Sequence, residues 1–112
     1  MHELSICRSI VGIVRKHAEG RPIQTVHVQV GQLRQIVPDT LVYCWSLVSQ
    51  TTELEGSELL VESIPAVIHC NECDHDTTID LPVMVCEQCG SHKVTLVSGE
   101  EFLITSLDLA EV

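Results

Sequence analysis

The chain opens with an apolar stripe of helical period. Leu4, Cys7, Val11 and Val14 recur at spacings of three and four, and Ile6, Ile10 and Ile13 widen the stripe. This predicts a helix over residues 3–18. Glu3 suits the positive end of its dipole and Arg15, Lys16 and His17 the negative end, while Gly20 and Pro22 stop it. The period then drops to two. Val26, Val28 and Val30 alternate with Thr25, His27 and Gln29, which predicts a strand over residues 23–30. Gly31 marks a bulge or bend, after which the strand is expected to resume through Leu33 and Ile36. Pro38-Asp39 suits the first turn of a second helix, running to about Gln50, with Leu41, Val42, Cys44, Trp45 and Val48 as its buried face. Cys7 and Cys44 read as small buried hydrophobes and Trp45 as a packing anchor. After a loop from Thr51 to Gly56, residues 58–68 alternate again, and Pro65 implies an edge position or a break. Two further strands are expected at residues 93–97 and 102–109.

Helix, strand, helix, strand and a late return strand predict an α+β fold. The simplest assembly is a small sheet with two helices on one face, the last strand returning beside residues 58–68. A separate module interrupts the chain before that strand. The expected organisation is an α/β domain of residues 1–68 plus 99–112, and a metal-binding insertion at 69–98.

The module is defined by its cysteines. Cys70-Asn71-Glu72-Cys73 and Cys86-Glu87-Gln88-Cys89 are two Cys-x-x-Cys pairs separated by twelve residues. A two-residue gap lets both sulfurs of a pair turn inward on one tight knuckle, so each pair supplies half a tetrahedron. Gly90, directly after the second pair, can close its turn with positive φ. The alternation over Asp76 to Leu81 predicts a small hairpin in the intervening loop, ended by Pro82. Zinc leads as the metal. Iron in a rubredoxin-like site fits the same tetrahedral sulfur, and two disulfides are the reading without a metal.

Charge narrows the partners. Residues 1–38 hold five basic and two acidic side chains, net +3, whereas residues 39–112 hold Lys93 and fourteen acidic side chains, net −13. A ribbon that grips phosphate carries lysine and arginine around its knuckles. Here the surroundings are Glu72, Asp74, Asp76, Asp80 and Glu87, so nucleic acid is disfavoured. The opening Met-His-Glu lacks the basic and apolar pattern of a signal peptide, and no apolar run is long enough to cross a membrane. A cytoplasmic protein with reduced thiols is therefore expected.

The first three residues contain a second donor set. The Met1 amine and the His2 imidazole both release protons near neutrality, with the His2 amide nitrogen between them. Deprotonated together, these groups form fused chelate rings that Glu3 can complete, an arrangement suited to Ni(II) or Cu(II). A bulky second residue also protects the initiator methionine from removal, so the amine belongs to Met1.

Together, Met1-His2-Glu3-Leu4-Ser5, the helix–strand–helix body, the Pro38-Asp39 helix entry, the Glu55-Gly56 turn, the late double Cys-x-x-Cys and the Ser98-Gly99 approach to the last strand resemble the HypA (HybF) family. These are accessory proteins that deliver nickel during maturation of nickel–iron hydrogenase. The resemblance implies Ni(II) as cargo, bound by His2 with the Met1 amine and Glu3 assisting. It implies a structural Zn(II) on Cys70, Cys73, Cys86 and Cys89. The implied partners are the nickel-handling GTPase HypB and the hydrogenase large-subunit precursor, with urease maturation drawing on the family in some bacteria. Monomers and homodimers are both compatible with it. His75 and His92, close after the two knuckles, are candidates for an outer shell or for pH sensing at the zinc site. The competing function is a zinc-ribbon interaction adaptor without nickel delivery. An enzyme is not expected, because four thiolates on one ion leave no open position for water.

Overall fold

The structure, a computed structural model, describes residues 3–110. In chain order these form α1 (Glu3–Ala18), β1 (Ile23–Gly31), a single 3-10 turn (Gln32–Arg34), α2 (Pro38–Ser49), β2 (Glu58–Ile64), β3 (Ala66–Cys70), β4 (Asp76–Ile79), β5 (Val94–Ser98) and β6 (Phe102–Leu109). They group into two compact units. One takes in the chain up to Gln29, Ile36–Glu62 and the chain from Leu103 onward; the other comprises Val30–Gln35 and Ser63–Phe102.

In the first unit the helical stripe of α1 buries Cys7, Ile10, Val11, Val14 and Ala18. Arg21 closes the helix by donating from Nε to the Ala18 carbonyl at 2.8 Å and from Nη2 to that of His17 at 3.0 Å, which satisfies two terminal acceptors. α2 buries a narrower stripe than its sequence suggests. Leu41, Trp45 and Ser49, four residues apart, face inward. Val42 is exposed, and Cys44 and Val48 are only partly buried. A helix of three turns packed on one side encloses about one row of residues, and Val42 lies outside it. The Trp45 indole N–H donates to Ser57 Oγ at 3.1 Å, so its burial leaves no orphaned donor.

β1 is the central strand of a three-stranded sheet of order β2-β1-β6. Its valines are buried as the alternation requires. The last strand thus pairs with β1 and does not lie beside residues 58–68 as expected. β2 carries exposed Glu58 and Glu62, side chains that suit an edge strand, whereas the valine-rich β1 gains most from two neighbours. Residues 58–68 are also not one strand. Pro65 has no N–H to donate, and the chain divides there into β2 and β3, which belong to different sheets.

The second unit holds a sheet of order β4-β3-β5, antiparallel throughout, with Ile68 opposite both Thr77 and Leu96. Ala66, Ile68 and Ile79 form its core, flanked by Leu33, Met84, Val94 and Leu96. Two expectations change here. After Gly31 the strand does not resume: the 3-10 turn ends at Gln35, which takes φ 57°, and Leu33 packs on the small core. The twelve-residue loop makes no hairpin of its own; β4 pairs back onto β3 across the first cysteine knuckle. The alternation at Asp76–Ile79 is real, but Thr77 and Ile79 face the core that β3 builds.

Gly31 and Gly99 sit where backbones meet. A Cβ on Gly31 would lie 2.1 Å from the carbonyl carbon and oxygen of Gly99. One on Gly99, at φ 117°, would lie 2.6 Å from Ala66 Cα. The approach is sealed by hydrogen bonds from Gly31 N to Glu101 O (2.7 Å) and from Leu33 N to Gly99 O (2.9 Å).

Candidate metal centre

The two knuckles repeat one backbone construction. In the first, Asp74 N donates to Cys70 O (3.0 Å) and Cys70 N to His75 O (2.9 Å). In the second, Gly90 N donates to Cys86 O (2.9 Å) and Cys86 N to Ser91 O (2.9 Å). Each turn closes through a residue of positive φ directly after its second cysteine, Asp74 at 60° and Gly90 at 76°. Glycine adopts this conformation freely, and aspartate is among the few other residues that tolerate it. The first knuckle continues from β3; the second is tied to β4, where Glu87 N donates to the buried Thr77 hydroxyl at 3.2 Å.

This construction brings the four sulfurs of Cys70, Cys73, Cys86 and Cys89 within 4.8 Å of one another. Cys70 Sγ lies 3.6 Å from Cys89 Sγ, and Cys73 Sγ 3.6 Å from Cys86 Sγ. A disulfide needs about 2.05 Å between sulfurs. Four sulfurs at about 2.3 Å from a central zinc stand about 3.8 Å apart along each edge of the tetrahedron. The observed spacing fits the second arrangement and joins sulfurs across the knuckles.

The electrostatics of the thiols point the same way. Cys86 is drawn down to about 6, mainly by the backbone N–H of Cys89; desolvation opposes this, and the N–H of Gln88 adds to it. At Cys73 the His75 N–H acts to lower the thiol, but desolvation and the other three sulfurs prevail and push it up to about 12. Cys89 is raised too: the Ser91 N–H acts to lower it, while Cys70 and desolvation outweigh that pull. Amides thus point at the sulfurs to receive negative charge, yet the neighbouring sulfurs hold Cys73 and Cys89 back while Cys86 ionises readily. A dication at the centre removes that conflict.

The remaining residues singled out from sequence fall in different places. His75 Nε2 is 2.8 Å from Glu87 Oε2, a bond that spans the two knuckles, while His92 is exposed. Glu3 is the first residue of α1. Met1 and His2 lie outside the described residues. Two contributors were not singled out from sequence. Thr77 ties the second knuckle to β4, and its signal was its inward parity with Ile79. His69 is held between Asp76 (2.6 Å) and Asp74 (3.3 Å). These acids, the Asp76 hydrogen bond foremost and against some desolvation, raise its pKa above that of an ordinary imidazole. Only the antiparallel pairing of β3 with β4 reveals that contact.

Two matched knuckles presenting four sulfurs, in a chain that also forms a sheet of order β2-β1-β6 and two helices, define a four-cysteine metal-binding α+β protein. Comparisons with known proteins give the family. The family model described as hydrogenase/urease nickel incorporation, metallochaperone, HypA matches residues 1–109. The hydrogenase maturation factor HypA of Nostoc punctiforme is 37% identical over 112 residues, covering 100% of this chain and 98% of that protein. That of Desulfosudis oleivorans is 36% identical over 115 residues, covering 99% and 100%. The solution structure of the nickel metallochaperone HypA from Helicobacter pylori superposes with a TM-score of 0.67 at 23% identity, over 97% of each chain, and shows the same fold. The chain belongs to the HypA family of nickel metallochaperones that serve hydrogenase maturation. It is a maturation factor and not an enzyme.

Proposed function

We propose that this protein carries Ni(II) to the nickel–iron hydrogenase large-subunit precursor, with nickel bound by His2 and assisted by the Met1 amine and Glu3. The family match over residues 1–109 carries this reading, because it spans both the N-terminal donor set and the cysteine module. A carrier must hold its metal against stray ligands and still release it. An amine, an amide and an imidazole regain protons as nickel departs, which eases release. Zn(II) on Cys70, Cys73, Cys86 and Cys89 is the structural metal, supported by the sulfur spacing. When bound, it supplies the positive charge that lets all four sulfurs act as thiolates. We place nickel with residues 1–68 and 99–112 and zinc with residues 69–98. His75, fastened to Glu87, and His92 form the outer shell of the zinc site. The protein works in the cytoplasm with the GTPase HypB, and homodimerisation is compatible with this role. No helix of the described residues is long and apolar enough to cross a membrane.

Nickel titration by calorimetry on zinc-loaded protein with an untagged N-terminus, beside His2→Ala, tests the reading. The expected result is one nickel bound per native chain and none by His2→Ala, with zinc retained in both. Equal nickel binding by the two proteins, or none by either, overturns the N-terminal site and leaves a zinc-ribbon adaptor.

A further inference from the structure

Two cysteines stand apart from the four-sulfur cluster, on the facing helices of the first unit. Cys7 is fully buried on α1, and its thiol donates to the Leu41 carbonyl of α2 at 3.3 Å. Cys44 lies three residues beyond Leu41 on the same helix and is partly exposed. Side chains on a helix lean toward its N-terminus, so Cys44 Sγ is directed back over the turn that Cys7 touches. Both thiols therefore lie at the same turn of α2 in the helix–helix contact, Cys7 buried and Cys44 partly exposed. Neither belongs to the proposed nickel or zinc ligands.

We propose that Cys7 and Cys44 are a redox pair that closes to a disulfide, stapling α1 to α2, when the protein meets a low-molecular-weight disulfide such as oxidised glutathione. The reachable thiol reacts first. Cys44 thiolate attacks one sulfur of oxidised glutathione and displaces a glutathione thiolate, leaving a mixed disulfide on Cys44. Cys7 then attacks Cys44 Sγ and displaces the second glutathione, its proton passing to the departing glutathione thiolate. Two protein thiols are oxidised to one disulfide, and one glutathione disulfide is reduced to two thiols. Burial, then the neighbouring Cys44, then Glu3 push Cys7 up to about 12, which keeps it protonated, so that Cys44 is the thiol that meets the glutathione disulfide. Closure fastens to α2 the helix whose first residue is Glu3, so the redox state of the pair bears on the helix that begins at the proposed nickel site.

The experiment uses the full, zinc-loaded chain incubated with oxidised glutathione, quenched with acid and mapped by mass spectrometry. Trypsin releases Cys7 after Arg8. Chymotrypsin, cutting after Tyr43 and Trp45, separates Cys44 from the four module cysteines. The expected product is a Cys7–Cys44 crosslink within one chain, lighter than the reduced protein by two hydrogens, with zinc retained and a raised melting temperature. Cys44→Ser, at a partly exposed position that should fold normally, must abolish the crosslink and leave Cys7 reduced. Cys7→Ser should leave Cys44 as a stable glutathione adduct. The proposal is overturned if the native chain stops at a glutathione adduct on Cys44 or if both thiols stay reduced. A crosslink joining two chains, or one reaching a module cysteine with loss of zinc, overturns it equally.

Discussion

Replacing Gly31 with alanine asks one methyl group to occupy space already filled by backbone. Its Cβ would stand 2.1 Å from the Gly99 carbonyl carbon and oxygen and 2.5 Å from Glu100 N, so the Gly99 peptide must retreat by about 1.3 Å to reach an ordinary 3.4 Å contact. Overpacking of this kind costs about 1–3 kcal/mol. The retreat also stretches the hydrogen bonds Gly31 N to Glu101 O and Leu33 N to Gly99 O, each contributing about 0.5–1.5 kcal/mol. Alanine restricts the unfolded chain more than glycine does, an offset of about 0.4–1 kcal/mol. The expected net loss is about 2–4 kcal/mol. Native-state amide exchange across β3 and β5 measures it directly. Gly12→Ala is the control: it lies mid-way along α1 with nothing within 4 Å of its added methyl, so stability should rise by about 0.8–1.0 kcal/mol. Trp45 fluorescence in urea reads that change, since Trp45 belongs to the same unit. A loss below about 0.5 kcal/mol for Gly31→Ala, the range of a neutral surface change, would refute the close approach of Gly31 and Gly99.

Three further outcomes follow from the structure. Serine at Cys70 or Cys86, both buried in the cluster, should lower zinc affinity at least about tenfold, as measured by chelator competition, and loosen amide protection at Cys70 and Cys86. Trp45→Ala should cost about 3–5 kcal/mol in urea unfolding, because the indole is buried and bonded to Ser57. The Glu53 pKa is lowered first by a hydrogen bond from its own backbone N–H and then by Arg15 at 2.7 Å. Any stability this brings is therefore present above the unfolded-state glutamate pKa and lost as pH falls through the lowered one. An NMR titration of Arg15→Gln should show the Glu53 pKa rising part of the way back; a full return would mean the backbone bond is not the larger cause.

The elements that could be read in sequence are those whose side chains face one environment along their length. α1 and β6 have the spans their periodicity predicts because neither meets a competing partner within its length. The sheet order was harder. Nothing local in residues 102–109 says whether they pair with β1 or β2; that choice depends on which strand can bury both flanks, and Val26, Val28 and Val30 answer it only once all three strands are compared. Pro65 signalled an interruption, but an edge and a break look alike in one dimension. The break sends β3 into a second sheet, with β4 on one side and β5 on the other.

The metal centre shows the same division between what spacing determines and what pairing determines. Cys-x-x-Cys dictates a knuckle, so the four cysteines were legible from spacing alone. That the knuckles are copies of one another was only half visible, because glycine follows one and aspartate the other. The conformation both must adopt, φ 60° at Asp74 and 76° at Gly90, is what makes the two turns equivalent. Equivalence matters to the chemistry: each turn aims its amides at its own sulfurs, and the antiparallel pairing of β3 with β4 and β5 sets the turns face to face. Of the twelve residues between the pairs, a centre built this way uses Asp74 and His75, which close the first knuckle, and β4 with its Thr77 hydroxyl, and asks little of the others. Substitutions in Leu81, Pro82 and Val83, all exposed, should therefore leave metal binding intact while the sequence there varies freely.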